Sequence, residues 1–198
     1  MVRYWYDTEF IDTGSTIDLI IIGIVAEDGR EYYAQSCEFN IDKASPWVRE
    51  NVLMHLDICP YIRANLAYSL GTVFGTLAQH KQGQCVDQIY GIRHRCPWRT
   101  RGQLKRDILS FMDVETHGKP ELCGYYSAYD HVAFCQLFGT MMDLPTGFPM
   151  YTRDLTQWCD QLGTPRLPEQ GKGEHNALED AKWNKLAWEF LAEKSKEN

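Results

Sequence analysis

Three short stretches at the start of the chain carry its clearest pattern of apolar positions. Val2 to Phe10 is rich in aromatics, Ile17 to Ala26 is almost wholly apolar, and Glu31 to Phe39 follows the run Glu27-Asp28-Gly29-Arg30. Apolar runs of this length, joined by a short turn containing Gly, predict a three-stranded antiparallel meander. Pro46 then opens a helical stretch through His55, and the pattern dissolves between about Asp57 and Arg99. Thr100 with Gln103 is a capping-box signature, and Leu104, Ile108, Phe111 and Met112 recur behind it at helical spacing, which predicts a helix of about four turns.

Beyond it the chain alternates. Glu121 to Tyr126 suits a strand, Tyr129 to Phe138 a helix, Phe148 to Arg153 a short strand and Asp154 to Leu162 another helix. The Gly- and Pro-rich stretch from Gly163 to Gly173 reads as a loop. Asn176 to Lys194 gives a last helix with Ala177, Ala181, Trp188 and Leu191 on one face. Meander, then helix and strand in turn, is an α/β order, and no internal repeat interrupts it.

Composition narrows the picture without changing it. With 198 residues, 44% hydrophobic and 24% charged, the chain is expected to fold as one domain around one core. No basic region followed by an apolar one stands at the N-terminus, and the longest apolar run, Leu19 to Val25, is too short to cross a bilayer. Seven Cys, an odd number, argue for reduced thiols rather than a disulfide framework. The expectation is a soluble, cytoplasmic protein. A net charge of −7 disfavours broad phosphate binding, so a polyanionic ligand would have to be held locally, where bound divalent cations could reverse the sign of an acidic site.

Such a site is visible in the acids. Asp7 and Glu9 lie two apart on the first strand and project from one face, inside the apolar setting of Tyr4, Trp5, Tyr6, Phe10 and Ile11. Two neighbouring carboxylates there need a cation or protons. Taken alone, the pair also fits a strand end entering solvent. Asp130 follows a predicted strand at the start of a helix, where an Asp is ordinary. His175 sits at the end of the loop, and Asp180 falls among small apolar neighbours on the last helix. Metal-assisted phosphodiester hydrolysis needs several hard oxygen ligands for two divalent ions, and gains from a neutral imidazole that can take a proton from water.

In these three segments the sequence resembles the DEDDh exonuclease superfamily. The motifs are Tyr6-Asp7-Thr8-Glu9-Phe10, Ser127-Ala128-Tyr129-Asp130 and His175-Asn176-Ala177-Leu178-Glu179-Asp180-Ala181, in that order and with the superfamily's His-to-Asp spacing. Within it, the runs Tyr6 to Ile11, Val25 to Ala34 and Tyr129 to Ala133 are most similar to the small RNase-T-like exoribonucleases of mycobacterial type. The resemblance implies an RNase-H-like fold with a mixed five-stranded sheet flanked by helices. It implies Asp7, Glu9, Asp130 and Asp180 as ligands of two Mg2+ or Mn2+ ions, His175 as general base, and a contact of Glu9 with the 3'-terminal nucleotide. The sister class with Tyr as base would carry that Tyr where Asn176 stands. The substrate it implies is single-stranded nucleic acid attacked from the 3' end, with RNA preferred, and the relatives suggest a homodimer. DNA as substrate, or a binding module that has lost catalysis, are the alternatives.

Other features are weaker. Phe10 could stack on a base, and Arg153, Arg166 and Lys172 could meet phosphate; the resemblance implies that Thr8 offers its backbone to the terminal ribose. Trp5 is assigned to the core, on the face opposite Asp7. The region from about 57 to 99 matches the family poorly and reads as an insertion. Its His55, Cys59, His80, Cys85, His94 and Cys96 invite a zinc site, but no paired ligand spacing supports one. The basic, aromatic run Arg93 to Arg101 could guide a strand or meet a second subunit.

Overall fold

In the computed structural model, which describes residues 1–57, 96–171 and 175–197, the meander forms as expected: β1 (Val2–Asp12), β2 (Ile17–Ala26) and β3 (Glu31–Ser36). Gly29, at φ +87°, closes the β2–β3 turn, and its N–H donates to Ala26 O at 2.9 Å. The zinc ligands proposed between Cys59 and His94 lie outside the described residues. Cys123, Cys135 and Cys159 are free thiols.

After the meander come α1 (Pro46–Asn51), β4 (Trp98–Arg99), α2 (Arg101–Phe111), α3 (Val114–His117) and β5 (Pro120–Gly124). They are followed by α4 (Ala128–Gln136), β6 (Arg153–Asp154), α5 (Leu155–Gln161) and α6 (Ala177–Glu197). The Thr100–Gln103 capping box is present in both directions at the start of α2. That helix has 11 residues, about three turns rather than four. Among the described residues, no helix is long and apolar enough to cross a membrane.

The strands form one mixed sheet in the order β4-β3-β2-β1-β5-β6, with β5 parallel to β1 and β6 parallel to β5. This is the RNase-H-like α/β arrangement, with six strands where five were expected. The extra one is β4, which pairs only Trp98 and Arg99 with Gln35 and Ser36. Two residues carry no alternation from which a strand could be read.

Each face of β1 is covered differently. Tyr4 and Tyr6 join Leu19, Ile22 and Ile24 of β2 in a core closed by Leu104 and Ile108 of α2 and Phe134 of α4. On the other face, Ile11, Ile20 and Ile21 pack with Ala177 at the start of α6. The register shifts at Glu9/Phe10, where Glu9 opposes Ile21 and Phe10 opposes Leu19, leaving Ile20 as the extra residue of a bulge. Both Ile20 and Ile21 thereby reach the α6 side, and the strand end is re-aimed beside the acids.

Helix α6 meets the sheet with almost no spacing at Gly23. A Cβ on Gly23 would lie 2.2 Å from Ala177 C and 2.3 Å from Leu178 N, so no residue with a side chain fits while the helix keeps its seat. Gly23 is the β2 partner of Asp7. Gly23→Ala should therefore push α6 off the sheet and destabilise the protein by about 3 kcal/mol, lowering the melting temperature by roughly 6–12 °C in a chain of this size. Thermal unfolding followed by circular dichroism checks this, and an unchanged midpoint would contradict it.

Candidate metal centre

The site forms where β1 runs on past its parallel neighbour. β5 pairs with β1 only from Val2 to Trp5, so the edge of β1 from Asp7 onward is open on that side. Asp130, in the first turn of α4, fills the opening. Its Oδ1 accepts the Thr8 N–H at 2.9 Å and the Thr8 hydroxyl at 2.6 Å, and the residue is only 6% exposed. An Asp that looks in sequence like an ordinary first-turn residue is instead tied to β1.

Asp7 and Glu9 face α6, and Asp180 on the first turn of that helix faces them. The ligand oxygens of these three carboxylates all lie within 4.8 Å of one another. The chain fixes α6 in that register by three devices. Asn176 Oδ1 accepts from Leu178 N and Glu179 N at 3.1 and 3.3 Å, capping the helix, and Gly23 admits Ala177. One turn beyond Asp180, Asn184 Nδ2 donates to Tyr6 O at 3.0 Å in the buried interior. Gln170 donates its side-chain N–H to Asp180 Oδ1, closing the outer side of the acid.

Burial and mutual repulsion dominate the electrostatics. Burial holds the Asp7 carboxyl well above its ordinary range, and the charges of Asp130, Asp180 and Glu9 add to that in descending order. Glu9 is pushed up to about 8, first by burial and then by Asp180 and Asp130. Asp130 rises to about 6 through burial, against the lowering effect of its bonds from Thr8. Without a counter-charge Asp7 and Glu9 hold protons at neutral pH. Oxygen donors, packed together and short of solvent, are the chemistry a hard divalent cation satisfies.

His175 stands at the rim, at φ +69°, with Nδ1 3.8 Å from Glu9 Oε1 and its side chain 38% exposed. Its ring packs edge-on against Trp47, centroids 4.9 Å apart. His175, Asp7 and Asp180 line a cavity of about 160 Å3 together with Tyr125, Trp183 and Gln170. Of the five residues expected from the three motifs, Asp7, Asp180 and His175 line this cavity, Glu9 adjoins them, and Asp130 is tied to Thr8 of the same strand.

The weaker candidates fall elsewhere. Trp5 is in the core, but on the face of Asp7 and Glu9 rather than opposite, as alternation over positions 5, 7 and 9 requires; it packs edge-on against Trp188 of α6. Phe10 lies on the opposite face, 6.0 Å from Tyr129 between ring centroids. The Thr8 N–H is already engaged by Asp130. Arg153 is level with Trp5 two strands away, its Nε 3.0 Å from Glu121 Oε1, and it lines a separate cavity of about 530 Å3 with Arg3 and Trp188. Arg166 pairs with Glu169, Lys172 lies outside the described residues, and Arg99 and Arg101 of the basic run pair with Asp107 and Asp18.

Sequence reading missed Gly23, Asn184, Gln170 and Trp47. Only Gly23 carried a local signal, a lone Gly inside an apolar strand, which marks a close backbone approach. The others act through contacts distant in sequence.

Comparison with known proteins agrees with this geometry. A family described as the 3'-5' exoribonuclease Rv2179c-like domain matches residues 2–192. Two Mycobacterium tuberculosis proteins, 3'-5' exoribonuclease Rv2179c of strain H37Rv and 3'-5' exoribonuclease MT2234.1 of strain CDC 1551, are each 40% identical over 181 residues, covering 91% of this chain and 88% of theirs.

The raised carboxyls make the metal-free protein pH-sensitive. Glu9 and Asp130 keep protons in the folded state that the unfolded chain has released, so their stabilising effect is complete below about pH 4 and is lost as pH rises toward about 8. Melting temperatures in EDTA should therefore fall between pH 5 and 8, and Asp7→Asn should raise the pH 8 value by roughly 2–4 °C, corresponding to about 1 kcal/mol. Mg2+ or Mn2+ should raise the melting temperature of the parent protein at pH 8 but not that of the variant. A flat profile would contradict the electrostatic account.

Proposed function

The chain belongs to the 3'-5' exoribonuclease Rv2179c-like family, and we propose that it removes nucleotides from the 3' end of single-stranded RNA by metal-dependent hydrolysis. The observation that carries the mechanism is the meeting of Asp7, Glu9 and Asp180 within 4.8 Å, with Asp130 held beside them by Thr8. Asp7, Glu9, Asp130 and Asp180 would hold two divalent ions, Mg2+ or Mn2+, and the donor set fits them: oxygen-only, desolvated, and carrying more negative charge than the cleft can tolerate empty. Such ions, when bound, offset charge on the phosphoryl oxygens and make a water acidic enough to attack at neutral pH.

The protein's own groups supply position and proton transfer. Thr8 fixes Asp130, and Asn184, Asn176 and Gly23 fix Asp180 against β1. Glu9, at the rim of the cluster, also meets the 3'-terminal nucleotide. His175 takes the proton from the attacking water; Trp47 on one side and the capped start of α6 on the other hold its ring near the acids while leaving it solvent access. The water oxygen joins phosphorus as the bond from phosphorus to O3' breaks, releasing a nucleoside 5'-monophosphate.

Oligonucleotides labelled at the 3' or the 5' end, as RNA and as DNA, with Mg2+, Mn2+ or EDTA, test the proposal. The expected result is a ladder shortening from the 3' end, faster on RNA and absent in EDTA. Asp7→Ala should abolish it, and His175→Ala should lower kcat by about 100-fold or more while the circular dichroism spectrum is retained. Activity that survives either substitution would contradict the assigned roles.

A further inference from the structure

One wall of the acidic cleft is aromatic, and the chemistry above does not use it. The Tyr125 ring stands edge-on to Trp183 at 5.1 Å and to Tyr126 at 4.7 Å between centroids. Trp183 is fixed by its indole N–H, which donates to Pro168 O at 3.0 Å, and Trp183 and Tyr125 line the cavity with Asp7 and Asp180. Tyr126 carries the series outward and is 69% exposed.

Its backbone explains how a large ring comes to face solvent. Tyr126 has φ +52°, in the left-handed region that a bulky side chain enters at a cost and that Gly or Asn would occupy more easily. The turn is pinned by two consecutive amides: Tyr126 N–H donates to Thr156 Oγ1 at 3.3 Å, and Ser127 N–H to Asp154 Oδ2 at 2.8 Å. The conformation does not need a tyrosine. What the tyrosine adds is a rigid aromatic face beside the cleft, and strained residues of this kind cluster at ligand sites.

Charge gives that face a task. The chain carries a net charge of −7, and no Lys or Arg is among the described residues lining the cavity. Ionic attraction from this wall therefore cannot retain a polyanionic strand, whereas stacking on a base is indifferent to charge and tolerant of sequence. We propose that Tyr126 stacks on a base of the RNA strand upstream of the 3'-terminal nucleotide that sits over the carboxylates. The inference rests on the exoribonuclease reading of the cleft. It makes Tyr126 a positioning residue that holds the strand in place while terminal nucleotides are removed.

The test compares the parent protein, Tyr126→Ala and Tyr126→Phe on a single-stranded RNA hexamer and on hexamers with one abasic residue at each upstream position. KM and kcat are read by turnover, and Kd by fluorescence anisotropy in an Asp180→Asn background that stops turnover. Tyr126→Ala should raise KM and Kd roughly five- to tenfold with kcat within about twofold, and Tyr126→Phe should restore binding to within about twofold. One abasic position should weaken binding to the protein with Tyr126 and not to the Ala variant. Equal Kd values for Ala and parent, or identical abasic penalties in both, would overturn the proposal. A parent protein that binds the hexamer without shortening it would overturn the exoribonuclease reading, and the Kd comparison would still decide the role of Tyr126. A parent that neither binds nor shortens RNA overturns both.

Discussion

The contact between the first turn of α6 and Gly23 of β2 sets the distance across the acidic centre. Asp7 and Glu9 belong to the sheet, and Asp180 belongs to the helix laid over it. Because Gly23 pairs with Asp7 and touches Ala177, the helix axis comes as close as backbone allows at the level where the carboxylates must converge. Ala181 and Asn184 continue the close seating, one by being small and the other by donating to Tyr6 O. A wider seat would move Asp180 out of reach of a cation shared with Asp7.

That geometry works against the stability of the empty protein. Four acids are brought together where burial already disfavours charge, and Glu9 and Asp130 respond by holding protons far above their ordinary range. The fold tolerates this because the surrounding structure is over-determined. Two bonds from Thr8 hold Asp130, a capped helix carries Asp180, and large apolar cores lie on both sides of β1. A bound cation would offset the same repulsion by attraction to each carboxylate, so the cost of the empty state and the affinity of the filled one have a common origin.

Much of this was legible in the chain because the signals were local. The meander came from apolar runs around Gly29, α2 from the Thr100–Gln103 box, and the acid pair from alternation on β1. The motifs also named Asp130, His175 and Asp180; the structure brings Asp180 within 4.8 Å of Asp7 and Glu9, places His175 Nδ1 3.8 Å from Glu9 and ties Asp130 to Thr8. Features that depend on a partner far along the chain were not legible. β4 exists only as two residues paired to β3, and β5 ends at Gly124 because the next turn takes Tyr126 into positive φ. The bond of Asp130 to Thr8 spans 122 positions, and Trp47 reaches His175 from α1. Trp5 was placed on the wrong face although its own alternation with Asp7 was sufficient to place it.

On the proposed reading, the converging carboxylates form one divalent-cation centre whose protons are displaced by metal. Isothermal titration of the metal-free protein with Mn2+ at pH 7, repeated in buffers of different ionisation enthalpy, measures ion count and proton release together. Two ions per chain, with protons released on binding and both effects lost in Asp7→Asn, is the predicted result. Binding without proton release, or binding that persists unchanged in Asp7→Asn, would contradict the account.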